Sequence, residues 1–169
     1  MSRKILFADV DGVLNTSHDK DPDYMNPKHL KILNDLQDEL GFEIVLSSSW
    51  RLFFDMPTFN RKFLGFGAKY PVVAYTPEPF RLPDRDMGDG YWAYGGMSKR
   101  GDEIQKYLDE NELVPSKGCS ICIIDDMGAE HFGKLSKYAI KTSMKAGLHE
   151  GHMKLVREIF AKQEDGNER

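Results

Sequence analysis

Hydrophobic residues in this chain follow two different spacings, which predicts strands separated by helices. Apolar runs of four to six residues at positions 5–8, 42–46, 72–75, 119–124 and 138–142 are typical of buried strands. Apolar residues recur at helical spacing after Asn26-Pro27, within 57–66, after Ser98 and after His149. Because a strand, a helix and a strand in this order form a parallel unit, we expect an α/β fold with a parallel five-stranded sheet.

The stretch 52–98 does not follow this alternation. It contains eleven of the nineteen aromatic residues together with many prolines and glycines, and 76–97 shows no periodicity, which predicts a long loop. Because the aromatic content argues against disorder, we interpret the insert as a lid over a substrate pocket. Tyr91, Trp92 and Tyr94 are candidates for stacking on a substrate ring, and the alternative is that they pack a local subcore.

Length and composition are those of a single globular domain. The chain has 169 residues, of which 40% are hydrophobic and 30% charged, and we expect one domain over 1–162 with a frayed polar tail at 163–169. The net charge of −4 argues against a broadly basic nucleic-acid surface, although it leaves room for a local basic patch. No apolar run could span a bilayer and no signal peptide is recognisable, so we expect a cytoplasmic protein without a membrane partner.

The two cysteines form a C-x-x-C pattern, which can indicate a redox or zinc site. Cys119 and Cys122, however, lie within a predicted strand, where residues three apart point to opposite faces. A single pair also falls short of the four ligands of a structural zinc site. We therefore expect two ordinary buried thiols.

Acidic pairs follow two of the predicted strands. Asp9 and Asp11 come directly after the first strand, with Gly12 next, and Asp125 and Asp126 follow the fourth strand. Ligands of open α/β sheets bind at the carboxyl ends of the strands, and acids this close repel each other unless a cation lies between them. A lone Asp-x-Asp-Gly could be a capped turn, but two acidic strand ends in one short chain indicate a site for a hard divalent cation, most simply Mg²⁺.

Hydroxyl and cationic side chains are predicted at the same edge. The second strand ends in the hydroxyl and cationic residues Ser47, Ser48, Ser49 and Arg51. Hydroxyl groups and an arginine can hold phosphate oxygens, so this segment predicts a phosphate site rather than only a serine-rich turn. Lys99 and Arg100 open the next helix, where a cation opposes the helix dipole and therefore needs an anionic partner. Either Lys99 or Arg100 could face the site, and either Ser47 or Ser48 could supply the phosphate-binding hydroxyl.

These four groups, in this order, resemble the four motifs of the haloacid dehalogenase-like (HAD) phosphatase superfamily. The quoted motifs are Asp9-Val10-Asp11-Gly12, Ser47-Ser48-Ser49-Trp50-Arg51, Lys99-Arg100 and Asp125-Asp126. The finer pattern, including Arg-Gly-Asp-Glu-Ile and Gly-Leu-His, is similar to the small HAD domains of nucleic-acid repair proteins. The resemblance implies a Rossmann-like three-layer sandwich with a minimal cap formed by the insert 52–98.

The resemblance also implies roles for individual residues. Asp9 would be the nucleophile that forms an aspartyl-phosphate, and Asp11 the general acid and then base. The ligands of Mg²⁺ would be the carboxylates of Asp9 and Asp126 and the backbone carbonyl of Asp11. Asp125 is the next candidate for the ligand from the fourth motif. Ser48 would be the phosphate-binding hydroxyl of the second motif, with Ser47 as its competitor.

The expected activity is Mg²⁺-dependent hydrolysis of a phosphomonoester. The loop between the first strand and its helix is too short for a full cap domain, and the insert 52–98 is only moderate in size, so the site is expected to be open. The resemblance associates an open site with large substrates or with partners that complete the pocket, which favours a nucleotide or the terminal phosphate of a nucleic acid. The alternatives are a phosphatase of a small phosphorylated metabolite and a non-catalytic Mg²⁺- and phosphate-binding module of the receiver type.

Overall fold

A computed structural model describes residues 2–166 as a parallel β-sheet with helices on both faces. The six strands of the main sheet are β1 (Arg3–Ala8), β2 (Glu43–Leu46), β3 (Ala74–Tyr75), β6 (Val114–Pro115), β7 (Gly118–Asp125) and β8 (Ala139–Lys141). Their order is β3-β2-β1-β7-β6, with β8 also paired to β7, and every pair is parallel. The predicted α/β class is confirmed, and the short strand β6 joins the five predicted ones.

Two hydrophobic cores lie on opposite faces of this sheet. The four α-helices are α1 (Pro27–Leu40), α2 (Met56–Phe66), α3 (Arg100–Glu110) and α4 (Glu150–Asp165). One core packs alternate residues of β1, β2 and β7 against α1, α2 and α4, and the other packs the intervening residues against α3. Cys122 belongs to the first core and Cys119 to the second, so the two buried thiols lie on opposite faces as predicted.

The ends of α1 show why this segment is a helix. The Asn26 side chain accepts the Lys28 N–H at 3.0 Å, Pro27 occupies the first turn, and Gly41 ends the helix with φ +69°. Apolar residues spaced three or four apart bury one face of α1 against the sheet. This helix therefore returns the chain so that β2 runs parallel to β1.

The segment predicted as a structureless loop contains a small antiparallel ribbon. Strands β4 (Arg85–Asp86) and β5 (Trp92–Ala93) pair with each other, and Arg81 forms an isolated bridge with Met97. Two-residue strands are too short to produce an alternating pattern, which is why the sequence did not reveal them.

The tail expected to fray from residue 163 is helical as far as α4 extends. The buried side chain of Gln163 accepts the Ile121 N–H at 2.9 Å and donates to the Ile121 carbonyl at 2.7 Å. These two bonds to β7 explain why α4 continues to Asp165 despite its polar sequence. The remainder of the predicted tail, 167–169, lies outside the described residues.

The register of the sheet aligns the chemistry-bearing segments. Ala8, the last residue of β1, pairs with Leu46 of β2 and with Ile124 of β7. The residues that follow these three positions therefore emerge at one edge. Within 2–166, none of the helices has the length and apolar character needed to cross a membrane.

Candidate active site

Three carboxylates meet at this edge of the sheet. Asp9, Asp125 and Asp126 each offer an oxygen, and these atoms lie within 4.8 Å of one another. Asp9 and Asp125 are 5% and 1% exposed, whereas Asp126 is more accessible. Two strand ends that are 116 positions apart in sequence thus form one cluster.

Gly12 allows the turn after β1 to approach this cluster. Its φ is +74°, and an added Cβ would lie 2.8 Å from Cβ of Asp126 and 2.9 Å from Sδ of Met144. The Thr142 hydroxyl donates to the Gly12 carbonyl at 2.6 Å, and the Thr142 N–H donates to the Asp125 carbonyl at 2.9 Å. A glycine is therefore required here both by backbone conformation and by the space that Asp126 occupies.

Burial makes the anionic form of two of these acids costly. Desolvation, and after it the nearby charge of Asp125, raise the pKa of Asp9 to about 7, although Arg100 and the Ser48 hydroxyl act in the opposite direction. Desolvation likewise raises the pKa of Asp125, against the lowering effect of Arg100. Carboxylates held together at this cost fit a cation that has oxygen ligands, as Mg²⁺ does.

Asp11 does not belong to this group of three carboxylates and is held by two donors. Asn15 Nδ2 donates to Asp11 Oδ1 at 2.8 Å, and Trp50 Nε1 lies 3.2 and 3.1 Å from the two carboxylate oxygens. Because Asn15 Oδ1 accepts the Gly12 N–H at 3.1 Å, its amide group must present the nitrogen to Asp11. Sequence reasoning assigned no role to Asn15 or Trp50, since neither contact is deducible from residue type.

The serines after β2 occupy different environments. Ser48 is fully buried and lies beside Asp9. Its hydroxyl accepts the backbone N–H of Trp50 at 3.3 Å. The hydroxyl of Ser47 is buried without a hydrogen-bond partner among the described residues. Ser49 is exposed and begins the short 3₁₀ helix Ser49–Leu52. Of the two competing serines, Ser48 is thus the one next to the predicted nucleophile.

Arg51 forms a buried ion pair. Its Nη2 donates to Glu103 Oε2 at 2.6 Å, and the side chains of the two residues are 3% and 6% exposed. The guanidinium also donates to the carbonyls of Ser48 and Pro77. Protein acceptors therefore engage most of its donors, and phosphate binding by Arg51 stays a prediction.

Arg100, rather than Lys99, contacts the acidic cluster. Its Nε lies 3.6 Å from Asp125 Oδ2, and its side chain is only 9% exposed. The Nη1 atom of Arg100 is buried and has no hydrogen-bond partner among the described residues. Lys99 is exposed and forms the N-cap of α3, where its N–H donates to Asp102 at 2.7 Å. A buried guanidinium with a free donor beside three carboxylates is suited to an anion.

Two cavities open beside the cluster. One of about 560 Å³ is lined by Asp11, Asn15 and Trp50 together with Asp19, Asp21 and Asp23 from the following loop and Phe53. The other, of about 330 Å³, is lined by Arg51, Lys99, Arg100 and His131, and Ser49 lies on both. Acidic and cationic cavities therefore flank the site on two sides.

The aromatic residues predicted to form a lid lie on the β4–β5 ribbon. Tyr91, Trp92 and Tyr94 are 78%, 65% and 76% exposed. The described residues that line the two cavities do not include them. Their contact with a substrate stays a prediction.

The chain matches a known protein family over most of its length. Residues 5–153 match the family model described as "HAD domain in Swiss Army Knife RNA repair proteins". A comparison with curated proteins gave no match. The family match confirms the predicted resemblance of the chain to the HAD domains of nucleic-acid repair proteins.

Proposed function

The chain belongs to the family of HAD domains in Swiss Army Knife RNA repair proteins, and on this premise we propose that it is a Mg²⁺-dependent phosphomonoester hydrolase. At the level of the family it is a HAD-type phosphatase domain. We propose that it acts through an aspartyl-phosphate on Asp9, with a nucleotide or a nucleic-acid terminal phosphate as substrate. The observation that carries the proposal is the convergence of Asp9, Asp125 and Asp126, with Asp11 directed into the adjoining cavity.

The carboxylate cluster would hold the metal ion. Asp9 and Asp126 would be direct ligands together with the backbone carbonyl of Asp11, with Asp125 beside them. When bound, Mg²⁺ would offset the repulsion between these carboxylates and the oxygens of a phosphate group. This assignment is supported by the raised pKa of Asp9 and of Asp125, because burial without a cation disfavours their ionised forms.

Asp9 would attack phosphorus and Asp11 would move the protons. A carboxylate oxygen of Asp9 forms a bond to phosphorus while the bond from phosphorus to the leaving oxygen breaks, and Asp11 gives that oxygen its proton. In the second step the Asp11 carboxylate takes a proton from water as the water oxygen attacks phosphorus, which releases phosphate and restores Asp9. Asn15 and Trp50 would orient Asp11 for both transfers.

The remaining groups would hold the phosphate. Ser48 lies beside Asp9, and Arg100 has a free buried donor for a phosphate oxygen. Ser49 and Lys99 line the same cationic cavity and would add a hydroxyl and a charge. Arg51 would act by holding the serine loop, because it is bound to Glu103 and to the Ser48 carbonyl. We propose that residues 1–162 form one catalytic domain in which the insert 52–98 shapes the open side of the site.

The test is phosphate release from a panel of phosphomonoesters that includes an aryl phosphate, nucleotides and phosphorylated oligonucleotides. Wild type should release phosphate only with Mg²⁺, and Asp9→Asn should be inactive on every substrate. Asp21→Asn, which changes an exposed carboxylate of the adjoining cavity, is the matched control and should stay active toward the aryl phosphate. An inert wild type would refute the enzyme assignment and favour a non-catalytic binding module.

The two-step chemistry has its own test. An aryl phosphate has a good leaving group that needs little protonation, so Asp11→Asn should still complete the first step but lack the base for the second. Asp11→Asn should therefore release about one equivalent of aryl alcohol in a burst and retain phosphate on the protein in an acid-stable, hydroxylamine-labile form. A slow steady rate without a burst or labelled protein would contradict the aspartyl-phosphate.

A further inference from the structure

A third cavity extends the cationic side of the site away from Asp9. It has a volume of about 480 Å³ and is lined by Arg85, Lys99, His131 and Lys134, with Asp102 and Glu130 as its acidic members. Lys99 and His131 also line the cavity that contains Arg100. The two cavities therefore form a continuous surface from the candidate active site to the β4–β5 ribbon. We call Arg85, Lys99, His131 and Lys134 the basic strip.

Three of the four basic side chains of this surface form no ion pair among the described residues, and its two acidic side chains have neighbouring partners. Arg85, Lys99 and Lys134 form no ion pair with any acidic side chain in the described part of the chain. The Asp102 carboxylate accepts the backbone N–H of Lys99, and Glu130 Oε1 lies 3.7 Å from His131 Nε2. The strip thus presents positive charge to solvent, although the whole chain carries −4.

The opposite side of the site carries the reverse charge. The 560 Å³ cavity is lined by four aspartates, and its described lining residues include neither lysine nor arginine. A substrate that carries further phosphates would be repelled there and attracted along the basic strip. Buried Arg100, with its unpartnered Nη1, marks the point where the strip reaches the catalytic cluster.

The ribbon adds an aromatic side chain beside the strip. Arg85 pairs with Ala93 across the ribbon, and by strand alternation Tyr91 lies on the same face as Ala93 and Arg85. Tyr91 is 78% exposed. An exposed tyrosine next to unpaired cations is the combination with which proteins hold single-stranded nucleic acid, since bases stack on the ring while cations follow the backbone.

We propose that the basic strip binds the phosphodiester backbone of a single-stranded nucleic acid whose terminal phosphate lies at Asp9. This rests on the proposed phosphatase function and specifies where the rest of the substrate lies. It implies that the enzyme gains affinity from each of the first few nucleotides beyond the reacting one. The binding should be salt-dependent, with a slope of log affinity on log salt of about 0.7 for each phosphate neutralised on a single strand.

The experiment compares the full chain on an aryl phosphate, on mononucleotides and on single-stranded oligonucleotides of increasing length phosphorylated at either end. For wild type, kcat/KM should rise at least about tenfold between a mononucleotide and a short oligonucleotide, and the rise should disappear at high salt. The double variant Arg85→Gln/Lys134→Gln should lose most of this length effect and keep its aryl phosphatase activity. Lys154→Gln, a change of a lysine that is 83% exposed on α4, is the matched control and should behave as wild type.

Oligonucleotide binding is measured in parallel, because this measurement tests the proposal independently of catalytic activity. Fluorescence anisotropy of a labelled single-stranded oligonucleotide should give a salt slope that falls by about 0.7 on each substitution of Arg85 or Lys134. Equal kcat/KM for mononucleotide and oligonucleotide, or an unchanged salt slope in the double variant, would overturn the proposal. Equal competition by an acidic peptide of the same charge would also overturn it, because it would show attraction of any polyanion. Loss of aryl phosphatase activity in wild type would instead count against the proposed function.

Discussion

The hydrogen bond between Trp50 and Asp11 is the contact whose removal tests the assignment of the proton donor most directly. Trp50 is 5% exposed, and its ring centroid lies 5.5 Å from that of Phe54 and 6.2 Å from that of Phe59. Trp50→Phe keeps an aromatic ring in this packing and removes the N–H that lies 3.1 Å from Asp11 Oδ2. The change therefore affects the orientation of Asp11 more than the fold.

The expected magnitude follows from the strength of a hydrogen bond to a charged group, about 1.5–3 kcal/mol, which corresponds to about 10- to 150-fold in rate. Asn15 still holds Asp11 Oδ1 at 2.8 Å in the variant, so we expect the lower end, about tenfold in kcat. KM should change little, because Asp11 acts on the leaving oxygen and not on the bound phosphate.

The assay compares two leaving groups. A nucleotide leaves as an alkoxide that needs a proton, whereas an aryl phosphate leaves as a stabilised phenolate, so Trp50→Phe should slow the nucleotide much more than the first step with the aryl phosphate. Tyr70→Phe removes a hydroxyl that donates to Asp38 Oδ1 at 2.8 Å, on an exposed side chain that lines neither cavity. It is the matched control and should leave both rates unchanged. Equal losses in the rate of the first step on both substrates, or no loss on either, would refute the positioning role.

Three further outcomes are expected. Glu103→Gln should lower the free energy of unfolding by about 3 kcal/mol in denaturant titration, because it leaves Arg51 buried and unpaired. Glu39→Gln, in an exposed ion pair, should cost much less, and similar losses in the two variants would contradict this reasoning. Gly12→Ala should weaken Mg²⁺ binding and reduce activity more than tenfold, because its Cβ would lie 2.8 Å from Cβ of Asp126. Gly41→Ala, at φ +69° with no atom within 4 Å of the added Cβ, should affect only stability, by about 1 kcal/mol. Retained activity in Gly12→Ala would count against the predicted cluster geometry. Burial raises the pKa of Asp9 and of Asp125, so the folded protein binds protons that the unfolded chain releases. Metal-free protein should therefore lose stability as the pH rises through about 6 to 7. Mg²⁺ should raise the melting temperature more at about pH 8 than at about pH 5, and the reverse order would refute this prediction.

Much of the architecture was predictable because it rests on patterns within short segments. Apolar runs ending in Asp9, Ser47 and Asp125 are read directly as strands with polar ends, and parallel pairing brings such ends to one edge. The caps of α1 follow from Asn26 and Gly41. The ribbon in the insert was missed because its strands are two residues long and its pairing depends on a turn through Gly88, Asp89 and Gly90.

The contacts that orient the site were not predictable, because they depend on side-chain directions between distant segments. The positions of Arg51 and Glu103 are 52 apart, and each alone resembles an exposed charge. Trp50 and Asp11 are 39 apart, and a tryptophan after a strand is most simply read as core. The choice between Lys99 and Arg100 also depended on where α3 begins, since a shift of one residue rotates a helix position by about 100°.

The segment after β2 contacts both acids of the first motif and so links the first and second motifs. Ser48 lies beside Asp9, and Trp50, two residues later, donates to Asp11. The 3₁₀ turn that separates these two side chains is held by Arg51, which reaches across to Glu103 on α3. A disturbance of the Arg51–Glu103 pair should therefore displace the hydroxyl at the nucleophile and the donor at the proton carrier together. Glu103→Gln should therefore lower the rates of both chemical steps. Trp50→Phe should lower the rate only of those steps in which Asp11 transfers a proton.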